Sequence, residues 1–137
     1  VKLDTNGLLP DVIANLLEHH LLDYIAIDIK TSPERYSELH SVAVDSASLI
    51  ATVELLRHVA IEVEYRTTCI PALVTRQEID VIGNLLRGAP LWVLQQYVAE
   101  HAMDADWQGR EKYPPEQLQQ FAVSAKEYVQ QVQVRGI

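Results

Sequence analysis

Along the chain, short apolar runs alternate with stretches whose apolar residues recur every three or four positions, and the alternation repeats four times. The clearest run is Tyr24-Ile25-Ala26-Ile27-Asp28-Ile29-Lys30. Four of its seven residues are Tyr or Ile, Gly and Pro are absent, and Thr-Ser-Pro follows at once. Such a run reads as a strand buried on both faces, which is the mark of a parallel sheet. Ahead of it, Val1-Lys2-Leu3-Asp4 reads as the end of a short strand and Thr5-Asn6-Gly7 as the turn that leaves it. Pro10 suits a helical first turn, and Val12, Ile13, Leu16, Leu17, His20 and Leu21 follow at helical spacing.

The polar stretch from Thr31 to Ser46 reads as a loop lying over a surface, with one or two helical turns between Glu34 and Leu39. Ser46 or Ser48 can cap a helix whose face is marked by Leu49, Ile50, Val53, Leu56 and Arg57. Ile61 to Thr68 alternates as a strand, turns polar at its end and is closed by Pro71. Thr75 with Glu78 forms a capping box for a helix with the stripe Ile79, Ile82, Leu85 and Leu86, which stops at Gly88-Ala89-Pro90. Leu91-Trp92-Val93-Leu94 is another buried strand that ends in Gln95-Gln96-Tyr97. A loop from Val98 to Tyr113 carries acidic residues, Met103 and Trp107. Pro114-Pro115-Glu116 opens an amphipathic helix reaching about Gln131, and Val132 to Val134 adds a last short strand.

Strand and helix in alternation predict an α/β fold with right-handed crossovers, a parallel sheet of four or five strands, and helices on the outside. Four such units make half of a TIM-like (β/α) barrel. Residues 1–137 are expected to be one domain. Because Val1 falls inside the first strand, they are also expected to be a fragment, with an unpaired sheet edge through which two copies could associate.

Composition narrows the classes. A hydrophobic share of 48% with 22% charged residues suits a globular domain with a real core. No apolar run approaches the ~20 residues that cross a bilayer, and no signal peptide opens the chain, so a cytoplasmic location without membrane contact is expected. The net charge of −8 is spread out, with no Lys/Arg cluster, which argues against nucleic acid. The single cysteine, Cys69, excludes an internal disulfide and a Cys-ligated metal or iron–sulfur site within these residues; it reads as a small core residue. None of the five histidines has a partner at the i, i+4 spacing of a helical metal site.

In a parallel sheet ligands sit at the carboxyl ends of the strands. That rim would gather Asp4, Thr5 and Asn6, then Asp28 and Lys30, then Arg66, Thr67 and Thr68, and finally Gln95, Gln96 and Tyr97. Two carboxylates beside a lysine and an arginine suit a zwitterion, the carboxylates holding an ammonium or a hard cation and the cations a carboxylate. Plainer roles stand beside this one: Asp4 as a brace of the Thr5-Asn6-Gly7 turn, and Asp28 with Lys30 as a local ion pair. A different class is also open, a flavodoxin-like phospho-acceptor or small-ligand domain using Asp28, although its chemistry wants paired acids on the first strand. A third is an interaction scaffold without a ligand.

The segments Leu3-Asp4-Thr5-Asn6-Gly7, Asp23 to Lys30, Tyr65-Arg66-Thr67-Thr68-Cys69-Ile70-Pro71 and Val93-Leu94-Gln95-Gln96-Tyr97 together resemble the later part of radical S-adenosylmethionine activating enzymes of glycyl-radical enzymes, such as the anaerobic ribonucleoside-triphosphate reductase and pyruvate formate-lyase activators. The resemblance implies a partial (β/α) barrel whose other half carries a [4Fe-4S] cluster on a CxxxCxxC loop that this sequence lacks. It implies that Asp4, Thr5, Asn6, Asp28, Lys30 and Arg66 bind S-adenosylmethionine, with Asp4, Thr5, the Ala26 carbonyl and Asp28 around a monovalent cation. Gln96 and Tyr97 would meet the substrate peptide; the pyruvate formate-lyase branch has a histidine there, and the departure favours the ribonucleotide-reductase branch. The implied partners are a glycyl-radical enzyme and a reductant such as flavodoxin, and these residues alone would be inactive.

Overall fold

The computed structural model describes residues 1–39, 46–98 and 112–137. Five strands, β1 (Lys2–Thr5), β2 (Tyr24–Asp28), β3 (Glu62–Cys69), β4 (Trp92–Gln96) and β5 (Val132–Arg135), alternate with four helices, α1 (Pro10–Glu18), α2 (Ser46–Leu56), α3 (Arg76–Leu85) and α4 (Pro115–Ala125). A 3₁₀ segment, Pro33–Glu38, follows β2 where one or two helical turns are expected. All pairings are parallel and the spatial order is β1-β2-β3-β4-β5. A flavodoxin-like sheet would instead run 2-1-3-4-5 with helices on both sides. Here every crossover joins neighbours in the same sense, and right-handed connections then put the described helices on one face. This is the architecture of half a (β/α) barrel.

The two faces of the sheet differ in chemistry. Ile25, Ile27 and Ile29, then Val63, Tyr65 and Cys69, then Trp92 and Leu94 point toward the helices and join Ile13, Leu49, Val53, Ile79, Ile82, Leu118 and Phe121 in one apolar core. Cys69 is fully buried there, as expected, and burial pushes its thiol up to about 12. The other face carries Asp4, Tyr24, Asp28, Glu64, Arg66, Thr68, Gln95 and Arg135, as the register and the two-residue alternation require. β2 is therefore apolar on its helix side and mixed on the other.

Local chemistry fixes how the helices sit. Gly7 adopts φ +72°, and a Cβ there would stand 3.0 Å from Ile27 Cγ2. That close turn lets buried Thr52 of α2 donate to the Gly7 carbonyl at 2.6 Å, tying the second helix to the exit of the first strand. Thr52, not Ile50, thus lies on the buried face of α2, since Ile50 is exposed. Similarly α1 buries Ile13 and leaves Val12 in solvent, ending at Glu18 before His20 turns to φ 55°. The α3 capping box forms as read from the sequence, the Thr75 N–H donating to Glu78 Oε1 at 2.8 Å. The final helix stops at Ala125 rather than near Gln131, leaving room for the turn into β5. Met103 and Trp107 lie outside the described residues. No helix of the described chain is long and apolar enough to cross a membrane.

Candidate functional site

The helix-free face is where charge gathers. On β3, Arg66 stands opposite Asp28 of β2. Its guanidinium continues across β2 to donate from Nη2 to Asp4 Oδ1 of β1 at 2.7 Å, while Nε lies 3.6 Å from Asp28 Oδ1. The path crosses Ala26, which pairs with Asp4 and carries only a methyl. Ala26 is fully buried on that face. Three of the expected residues, from three consecutive strands, therefore converge as the sequence indicates.

Glu64, which sequence reasoning passed over, is the anchor of this cluster. It is 3% exposed, although it lies on the face away from the described helices. It accepts the Tyr24 hydroxyl on Oε1 at 2.5 Å and Arg135 Nη2 at 3.3 Å, and its Oε2 lies 3.5 Å from Arg66 Nε. Burial alone would lift the Glu64 carboxyl, but the Tyr24 hydrogen bond and the nearby guanidinium groups of Arg135 and Arg66 outweigh it and hold the group below the ordinary glutamate value. In return, burial and the bond to Glu64 push the Tyr24 phenol up to about 12. The signal was present in the sequence: Glu64 is two residues before Arg66 in an alternating strand and so shares its face.

Asp28 has the opposite balance. Loss of solvent raises it above the ordinary aspartate value, more than Arg66 and Lys30 lower it. Its side chain is 48% exposed and accepts no hydrogen bond among the described residues, with the loose Arg66 pairing its nearest cation. A half-open carboxylate with so little compensation is placed to take a cation from solution. Lys30 is exposed and makes no ion pair among the described residues, so the local Asp28–Lys30 pair does not form. Its backbone N–H donates to the hydroxyl of buried Tyr36 at 3.0 Å, which fixes the chain just beyond Asp28.

Other expected residues are engaged elsewhere. Thr5 Oγ1 accepts the Gly7 N–H at 3.2 Å and Asn6 Oδ1 the Leu8 N–H at 3.0 Å, so both brace the turn. Gln96 points to the helix side, donating to the Tyr113 carbonyl at 2.8 Å and accepting the Tyr97 N–H at 3.0 Å. Tyr97 is buried, and its hydroxyl has no hydrogen-bond partner among the described residues. Thr67 likewise faces inward and accepts the Trp92 indole N–H at 3.0 Å. Thr68 and Gln95 remain on the open face, loosely paired at 3.5 Å. Among the described residues no group of three His, Cys, Asp or Glu side chains is placed to hold a metal ion without help from other ligands.

The described residues thus form half a parallel (β/α) barrel with a charged inner face. The whole chain aligns at 29% identity, over 141 residues, with a protein of Methanocaldococcus jannaschii provisionally named a glycyl-radical enzyme activating enzyme, and spans 59% of that relative's length. The resemblance drawn from the motifs is thus matched along the full sequence. No family profile matches the chain.

Proposed function

We propose that these residues are part of a radical S-adenosylmethionine activating enzyme that installs a glycyl radical on a partner enzyme, and that their open face completes the S-adenosylmethionine site. The observation that carries this reading is the convergence of Asp4, Asp28 and Arg66, from three adjacent strands, on the face away from the described helices. It is supported by the similarity to a named activating enzyme over the whole chain. A [4Fe-4S] cluster, held by thiolates beyond these residues because Cys69 is buried among the helices, supplies when bound the electron for reductive cleavage of S-adenosylmethionine.

The part of this chain is binding and orientation. Asp28 and Asp4 offer carboxylate oxygens to a monovalent cation or to the ligand's own positive groups, and Arg66 and Lys30 offer cations to its carboxylate. Thr5, Asn6 and the Ala26 carbonyl contribute through the backbone that sets Asp4 in place, since the two side-chain oxygens already hold the turn. Gln96 and Tyr97 line the end of β4, where the partner's peptide would approach. A flavodoxin-type reductant, a cytoplasmic location and service to an anaerobic ribonucleotide reductase fit the same reading.

The test is S-adenosylmethionine binding by the full-length protein, measured by equilibrium dialysis. Asp28→Asn is expected to weaken binding about tenfold or more, the scale of a lost charged contact. Unchanged affinity in both Asp28→Asn and Asp4→Asn would remove the site.

A further inference from the structure

Glu64 is too deeply buried to touch a ligand on the open face, yet a carboxylate in that position is costly unless it is paired. Its surroundings say what it is paired for. Tyr24 and Arg135 fix its position from β2 and β5. The remaining neighbour is Arg66, whose Nε is buried, donates no hydrogen bond among the described residues, and lies 3.5 Å from Glu64 Oε2 and 3.6 Å from Asp28 Oδ1. Three carboxylates thus compete for one guanidinium. Asp4 holds Nη2, while Nε is balanced between Asp28 and Glu64.

We infer that Glu64 is a positioning residue: it is the acceptor that takes Arg66 Nε when Asp28 turns to a cationic ligand. This rests on the open face being the S-adenosylmethionine site. Arg66 stands where a cation would, partly neutralising Asp4 and Asp28. For Asp28 to receive a ligand the Nε must leave it, and Glu64 Oε2, held by Tyr24 and Arg135 at 3.5 Å on the other side, is a charged acceptor already within reach. Without the Glu64 charge, Arg66 closes on Asp28 and competes with the ligand.

A double-mutant cycle on the full-length protein tests this, with the S-adenosylmethionine dissociation constant as the readout, taken well below each variant's melting temperature. Glu64→Gln is expected to weaken binding about tenfold in the wild-type background and less than about twofold when Arg66→Gln is already present. An equal loss in both backgrounds, or no loss in the first, overturns the inference while leaving the site intact. If Glu64→Gln does not fold, Glu64→Asp keeps the charge but draws the oxygens away from Arg66, and must show the same dependence on Arg66. Full affinity in Asp28→Asn alone overturns this inference, and full affinity in both Asp28→Asn and Asp4→Asn overturns the site reading with it.

Discussion

At the scale of single residues, the charged face separates groups that hold the protein together from groups that wait for a ligand. Asp4 is 60% exposed, and an ion pair of that kind contributes about 0.2–1 kcal/mol. Glu64 is buried, and removing it strands Tyr24, Arg66 and Arg135, a loss of about 3–5 kcal/mol. Urea denaturation should therefore find Asp4→Asn close to wild type and Glu64→Ala severely weakened. The pH response follows from the same pair. The Glu64 carboxyl titrates lower when folded than when unfolded, so its contribution is present above the ordinary glutamate pKa and is lost as pH falls through the depressed value. The Tyr24 contribution is present below about pH 10 and is lost as pH rises toward about 12. Tyr24→Phe should cost about 1–2 kcal/mol at neutral pH and flatten the acid side of the stability profile, which denaturation across about pH 3 to 6 would measure.

At the scale of elements, two helix contacts give sharp expectations. Gly83 lies within α3, where alanine would ordinarily gain about 1 kcal/mol of helix propensity. A Cβ there would fall 2.4 Å from the Tyr128 ring, which is itself tied to Asp80 by a 3.0 Å hydrogen bond. Overpacking should win, and Gly83→Ala should lower stability by about 1–3 kcal/mol, measurable by thermal melting. Thr52→Val leaves the Gly7 carbonyl without its 2.6 Å donor and should cost about 1–3 kcal/mol. Neither contact was readable from the chain. Spacing shows which side of a helix is apolar, but Thr52 is polar and is buried only because a turn 45 residues away presents a carbonyl to it.

At the scale of the whole molecule, the alternation of runs and stripes was enough for the parallel sheet, the helix-covered face and the convergence of Asp4, Asp28 and Arg66, because each depends on periodicity and on the polar switch at strand ends. What it could not give was partnership across the sheet. Glu64 and Arg135 are 71 residues apart and meet only because β3, β4 and β5 lie side by side. The orientation of Gln96 shows a related limit: one step along a strand reverses the face, and Gln95, not Gln96, looks away from the helices. The core also predicts the behaviour of Cys69. With no exposure and its thiol pushed up to about 12, it should resist a thiol reagent in the native protein and react at the rate of unfolding, which absorbance after rapid mixing would follow.

Because the left-to-right arrangement of strands copies their order of synthesis, each newly made strand meets a partner that the ribosome has already released. No segment must wait for a later one to be inserted beside it, so the sheet can be laid down by accretion from one margin. Closure entropy is then spread over several short excursions in place of one long return.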